Sequence, residues 1–273
     1  MSVKFNYIIT IHNKENILER TLAGVEDCAG DNSVIYPVLD GCTDRSAEIV
    51  EQFTKRTKNK VIITETADLH EIRSINAALR KITDGYTICL QDDVILKEPN
   101  LESKVINLYN KLGSDLGVIS FCRAADIRKT PILRQIRRSG LVPLIEECNL
   151  VQVINDSCLG GIKIPYEQFE YKMVAIKSPV CIPETLLKRI GLLDENLAPY
   201  GYDDHEYCMR ALQFGFKNGL YPLHFDSELE WGGTRNDKDF SQKTKKIHLR
   251  NHRYIWKKHG RFISNFWRDK GDA

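Results

Sequence analysis

The chain has 273 residues, enough to bury a full core in one large domain or two small ones. Apolar residues at 42% and charged residues at 28% exclude a disordered chain, and a net charge of +2 leaves no electrostatic footprint for nucleic acid. No run approaches the roughly 20 apolar residues of a membrane-spanning helix, and the N-terminus enters a strand-like run without a signal-peptide core. The eight cysteines (Cys28, Cys42, Cys89, Cys122, Cys148, Cys158, Cys181 and Cys208) form no CxxC pair, and several sit inside apolar runs. That is the pattern of buried thiols in a reducing cytosol, not of a disulfide framework or zinc site.

Residues 5–11 read as a buried strand, His12-Asn13-Lys14 as a turn and residues 15–25 as a helix with Ile17, Leu18, Leu22 and Val25 on its apolar stripe. Residues 34–39 form a second strand, although Pro37 argues against a central hydrogen-bonded position. Asp40-Gly41-Cys42-Thr43-Asp44 is the next turn, with Asp44 an N-cap for a helix over 47–54. A third strand over 61–64 and a third helix over 71–83 follow, the latter presenting Ile72, Ile75, Leu79 and Ile82 to the core. Residues 86–91 then run as a strand into Asp92-Asp93. Three strand–helix alternations predict an α/β fold with a mostly parallel, Rossmann-like sheet flanked by helices, and a ligand crevice at the strand C-termini. All three turns at that edge are polar: His12-Asn13, Asp40-Gly41 and Asp92-Asp93.

The second half is less regular, with a helix over 101–112 and a strand over 117–122. From 123 to 165 the pattern weakens around a basic cluster (Arg128, Lys129, Arg134, Arg137, Arg138) and Gly160-Gly161. The cluster reads as a solvated surface or as a site for an acidic substrate, and loops of this kind carry specificity in α/β enzymes. Residues 174–182 look strand-like, residues 184–190 form a short helix after Pro183, and a further helix opens at Asp203-Asp204-His205-Glu206.

Two acidic pairs carry the chemistry. Asp92-Asp93 is a solvated turn or a site for a hard divalent cation, which prefers carboxylate oxygen. Asp203 with Glu206 has the form of an N-cap and capping box, which leaves Asp204 without a capping duty and free to reach a cleft as a general base. His224, after a short apolar run, is a packed histidine or a third metal ligand. The last segment interleaves Lys243, Lys245, Lys246, Arg250, Arg253, Lys257, Lys258, Arg261, Arg268 and Lys270 with Tyr254, Trp256, Phe262, Phe266 and Trp267. Such a helix docks its aromatics on the core or lies on an anionic membrane.

In this order and spacing the motifs resemble family 2 glycosyltransferases of the GT-A fold. Tyr7-Ile8-Ile9-Thr10-Ile11-His12-Asn13-Lys14-Glu15 is similar to the family's opening strand and turn, and Asp40-Gly41-Cys42-Thr43-Asp44 to its D-G-S-T-D nucleotide loop, with Cys42 where serine is usual. Gln91-Asp92-Asp93 falls on the D-x-D metal motif, with glutamine at the first position. Asp203-Asp204 falls on the E-D catalytic-base motif, and Arg73 and Asn76 on an Arg-x-x-Asn that precedes the D-x-D strand.

The resemblance implies a metal-dependent inverting transferase that moves sugar from a nucleotide-diphosphate donor, UDP-linked, to a glycan or lipid-linked acceptor in bacterial polysaccharide or glycoconjugate synthesis. It implies Asp204 as base, Asp93 and His224 as ligands of Mg²⁺ or Mn²⁺, and Thr10, His12, Asn13, Glu15, Asp40, Arg73, Asn76 and Asp92 on the donor. Asp203, Glu206 and Trp231 fall on the acceptor side or behind the base. The implied organisation is a nucleotide-sugar half (1–98), an acceptor and catalytic half of the same domain (99–235) and a helical extension (236–273). The scattered thiols point to a cytoplasmic protein, and the membrane-surface reading of the basic C-terminal segment would make it peripheral on the inner face of the membrane. Two rivals stand: a non-catalytic sugar-nucleotide-binding scaffold, motivated by Gln91, and a sugar-phosphate nucleotidyltransferase. Against the second, no Gly-rich, Arg- and Lys-containing loop follows the first strand.

Overall fold

A computed structural model describes residues 3–131, 144–155, 160–227 and 238–269. The chain alternates β1 (Phe5–Ile11), α1 (Leu18–Cys28), β2 (Val34–Asp40), α2 (Ser46–Arg56), β3 (Lys60–Val61), β4 (Thr64–Thr66), α3 (His70–Leu79) and β5 (Tyr86–Gln91). It continues through β6 (Ile95–Leu96), α4 (Leu101–Leu112), β7 (Leu116–Ser120), β8 (Arg123–Lys129), β9 (Ile145–Val153), β10 (Ile162–Ile164), β11 (Glu170–Lys172), β12 (Val174–Ile176) and β13 (Val180–Ile182). Next come α5 (Glu184–Ile190), α6 (Asp203–Gln213), β14 (Lys217–Leu220), β15 (Phe225–Asp226) and α7 (Lys238–Asp269).

The main sheet has the order β11-β14-β7-β13-β5-β1-β2-β3, with β4 continuing the β3 edge along β2. β5, β1, β2, β3 and β4 run parallel, as right-handed βαβ connections require, and β13 enters antiparallel between β5 and β7. Both halves of the chain therefore build one sheet. The two-residue strand period splits its core: Phe5, Tyr7, Ile9 and Ile11 pack with the apolar stripes of α1, α2 and α4, while Ile8 packs with those of α3, α6 and α7.

Three sequence expectations change. Pro37 sits in an internal strand after all, because the neighbouring edge is interrupted between the Ile35–Val61 and Val38–Thr64 pairs, where Pro37 has no N–H to give. Residues 174–182 are two strands: β12 joins a second sheet (β10-β9-β8-β12) and β13 the main one, with residues 177–179 turning between them. Asp203 is the first helical residue of α6 and makes no capping bond, since Tyr202 takes the left-handed N-cap position.

The C-terminal helix docks. Ile255 and Ile263 are fully buried, and the Trp267 indole N–H donates to the Ile127 carbonyl at 2.7 Å. The Asn251 amide donates to the carbonyls of Leu197, Tyr200 and Gly201, so α7 fixes the loop that delivers α6.

Candidate active site

Because β2, β1 and β5 are neighbours running the same way, their C-terminal turns meet at one edge. The His12 N–H donates to Asp92 Oδ2 at 2.8 Å, and the His12 ring Nδ1 donates to the Asp40 carbonyl at 2.6 Å. Asn13 Oδ1 accepts the Thr43 N–H at 2.7 Å, Asp44 accepts the Glu15 N–H at 3.0 Å, and Glu15 accepts the Arg45 N–H at 2.9 Å. Asn13 and Glu15 thus brace the loop after β2. Cys42 closes the same loop with its thiol toward the Ile11 carbonyl. Gly41 is required there: its φ is +59°, and a Cβ would lie 2.7 Å from that of Asp68. Asp40 is buried, and its Oδ1 accepts both the Thr66 hydroxyl and the Leu69 N–H at 2.7 Å. Thr10, half-buried on β1, lies in register with Val38 and Gln91.

Asp92 and Asp93 differ in environment. Asp92 is buried, with the Lys14 ammonium 3.6 Å from its Oδ1. Burial pushes its carboxyl up to about 7, against the pull of Lys14 and the His12 N–H. Asp93 is half-buried in the turn, and among the described residues no hydrogen bond or ion pair engages its carboxylate. A free carboxylate beside a tied one suits a hard cation held by one protein ligand, water and a diphosphate. Among the described residues no cluster of three or more His, Cys, Asp or Glu forms an all-protein metal cage.

The second acidic pair lies across α3 from this edge. Lys177, between β12 and β13, places its ammonium 2.5 Å from Asp203 Oδ2 and 3.0 Å from Glu71 Oε1, and its backbone N–H donates to Asp204 Oδ2. Glu71 in turn accepts the Gln91 side-chain N–H at 2.8 Å. A continuous polar bridge thus runs from Gln91, next to Asp92-Asp93, through Glu71 and Lys177 to Asp203-Asp204. On the far side the His205 ring donates to Asp204 at 2.7 Å and to Glu147 on β9 at 3.0 Å, which requires both ring nitrogens to carry protons. Burial lowers the His205 pKa, but Asp204 and Glu147 outweigh it and hold the ring protonated up to about 10. Burial also raises Asp204, yet His205 and Lys177 bring its carboxyl down to about 2. Asp203, 1% exposed, goes the other way, pushed by burial up to about 6 in spite of Lys177.

Several expected site residues sit elsewhere. Asn76 is fully buried, and both N–H groups of its amide are spent on the Leu193 carbonyl and Glu195 while its Oδ1 accepts the Leu193 N–H, which ties it to the loop before α6. His224 does not meet Asp93: its carbonyl accepts the Lys97 N–H, its ring stacks 3.6 Å from Tyr166, and the β6–β15 register puts it beyond Leu96. Glu206 is buried behind the pair, against Arg210, Lys258 and His259. Arg73 is half exposed, with its Nε 3.8 Å from Glu195. Arg128 pairs with Glu146 at 3.0 Å, whereas Trp231, Arg134, Arg137 and Arg138 lie outside the described residues.

Sequence reasoning missed Lys14, Glu71, Glu147 and Lys177. Lys14 and Lys177 carried a legible signal, because a lysine at the end of a buried apolar run needs a counterion. Glu71 and Glu147 carried none beyond charge.

Buried carboxylates with assigned cations, gathered near the C-terminal edge of a parallel sheet, stand where open α/β folds bind ligands. The profile of glycosyl transferase family 2 matches residues 7–173, over half of the chain, and the chain belongs to that family. No curated protein sequence matches it. Among solved structures it is similar to the mannosyltransferase PcManGT of Pyrobaculum calidifontis in complex with GDP-Man and Mn²⁺, with TM-score 0.54 and 14% identity over 80% of this chain and 54% of that one. It is similar to S. aureus TarS 1–349 in complex with UDP-GlcNAc, with TM-score 0.55 and 13% identity over 89% and 65%. A third is GalNAc-T7 with UDP, GalNAc and Mn²⁺, with TM-score 0.59 and 14% identity over 81% and 42%. At these identities the shared property is the fold, which is GT-A. The chain spans less than two thirds of each of those proteins.

Proposed function

We propose that the chain is an inverting glycosyltransferase that moves a sugar from a UDP-linked donor to a glycan or lipid-linked hydroxyl, with Asp204 as base. The observation that supports this reading is the bridge Gln91–Glu71–Lys177–Asp203, which connects the turn assigned to the donor with the helix assigned to the base. The buried Asp40 carboxylate accepts the Leu69 N–H and the Thr66 hydroxyl at the end of β2, and a uracil N3–H is a donor of the same kind as the first. Asp93 would hold Mg²⁺ or Mn²⁺, which would neutralise the charge gathering on the departing diphosphate. Asp204 takes the acceptor proton as the acceptor oxygen bonds to the anomeric carbon. The bond from that carbon to the diphosphate oxygen breaks on the opposite face, its electron pair leaving with the nucleotide and inverting the configuration. Held ionised by His205 and Lys177, Asp204 is in its basic form throughout the working range. The outward bases Lys246, Arg253, Lys257 and Arg261, spaced seven, four and four residues apart on α7, give the protein a face for an anionic membrane.

The test is turnover with a panel of nucleotide sugars, preceded by thermal-shift selection of the donor with and without Mn²⁺. Asp204→Asn should lower kcat by about 10²–10⁴-fold while leaving donor-induced stabilisation intact. Unchanged turnover in that variant would remove Asp204 as base. Donor stabilisation without turnover in the native chain would replace the transferase by a sugar-nucleotide-binding protein.

A further inference from the structure

Lys177 is a long way in sequence from every group it meets. Its side chain is largely buried, and it touches both members of the acidic pair: the ammonium meets Asp203, the backbone N–H meets Asp204. Adjacent carboxylates repel, and a carboxylate as buried as Asp203 takes a proton unless a cation stands beside it. Among the described residues Lys177 is the cation in contact with Asp203. Its other carboxylate, Glu71, is held by the Gln91 amide, which donates a hydrogen bond without adding charge.

The groups that face the pair come from every element around it. They are His205 and the Cys208 thiol on α6, Glu147 on β9 with Arg123 on β8 behind it, Glu71 on α3 and the Cys89 thiol on β5. Glu71, Asp203, Asp204 and Glu147 are four carboxylates balanced by Lys177, His205 and Arg123. Removing Lys177 leaves the buried Asp203 and the half-buried Glu71 without their shared cation.

Resting on the transferase reading above, we propose that Lys177 is a positioning residue that keeps Asp203 and Asp204 ionised together, and so sets the lower end of the pH range in which Asp204 works as base. The pair titrates as a unit, and its first proton goes to the buried member, Asp203, whose carboxyl already stands near 6. A proton there removes the charge next to the base and weakens it.

The experiment uses two readouts on the full chain. The first is ¹³C NMR titration of aspartate-labelled protein without substrate, and the second is the pH profile of kcat/KM with the selected donor. Lys177→Met should move the pair's first protonation, and the acid limb of the profile, upward by about one pH unit or more, the size of an ion-pair interaction at this range. Lys177→Arg should return both to near the native position. Glu71→Gln, which frees Lys177 for the pair, should move both downward, and it serves equally if Lys177→Met fails to fold. Equal losses of activity in the Met and Arg variants, with the carboxyl titration and the limb unmoved, would overturn the proposal. The NMR titration needs no turnover, so an inactive native chain would defeat the transferase reading while the ionisation claim was still read directly.

Discussion

His205 makes the sharpest stability prediction, because its two ring nitrogens face Asp204 and Glu147 at 2.7 and 3.0 Å with the ring buried. In the unfolded chain the imidazole loses its proton near 6.5, and in the folded protein near 10. The folded state therefore holds a proton that the unfolded state has released across this window. Stability from the charged ring is complete below about pH 6.5 and is lost as pH rises toward 10. The loss is at most about 1.4 kcal/mol per pH unit, or roughly 2 kcal/mol between pH 7.5 and 9. For a chain of this size that corresponds to a fall in Tm of about 4–8 °C. His205→Gln keeps a hydrogen-bond donor and removes the titration, so its Tm should be lower at pH 7 and nearly flat relative to the native protein over the same window. The assay is thermal unfolding of both proteins in matched buffers from pH 6 to 9.5, read as the difference between the two curves. Parallel curves would show that the ring is neutral in the folded state and that neither carboxylate holds it charged.

Asn76→Ala should cost about 2–3 kcal/mol, because it leaves both buried backbone groups of Leu193 unpaired. Its signature is a lower Tm with the donor KM little changed; a raised donor KM at unchanged Tm would return Asn76 to the donor site. Replacing Lys246, Arg253, Lys257 and Arg261 together by glutamate should release the protein from vesicles containing anionic lipid while moving Tm by only a few degrees, since all four side chains are exposed. Vesicle binding that survives the charge reversal would leave α7 as a docking helix alone.

The parallel half of the fold was legible because its central strands β1, β2 and β5 are buried on both faces. Such strands read as largely apolar runs, and the polar turns His12-Asn13, Asp40-Gly41 and Asp92-Asp93 stand out at their ends. The sheet β10-β9-β8-β12 was not legible, because β9 exposes Glu147 and half-exposes Cys148 and Leu150 between its buried ends, so neither period is clean. Residues 174–182 misled for the opposite reason: two strands of different sheets are both apolar, and only Lys177-Ser178-Pro179 marks the crossing. The acidic pairs were legible as residues but not as environments. Nothing local distinguishes the free Asp93 from the lysine-bound Asp92, or places Asp203 inside a helix on Lys177, since each of those differences is made by a residue far along the chain.

Gln91 shows how the missing partners change a reading. Against the family pattern alone it is a lost carboxylate, and it was the reason to doubt that the site is catalytic. In the structure its side chain donates to Glu71, which is itself bound to Lys177. An aspartate at 91 would put another anion against Glu71 and draw on the same ammonium that holds Asp203. With glutamine, the Lys177 charge is divided between two carboxylates and not three. The departure at Gln91 and the buried Lys177 are thus two halves of one electrostatic arrangement, in which the Gln91-Asp92-Asp93 turn yields a charge so that Asp203 and Asp204 can keep both of theirs.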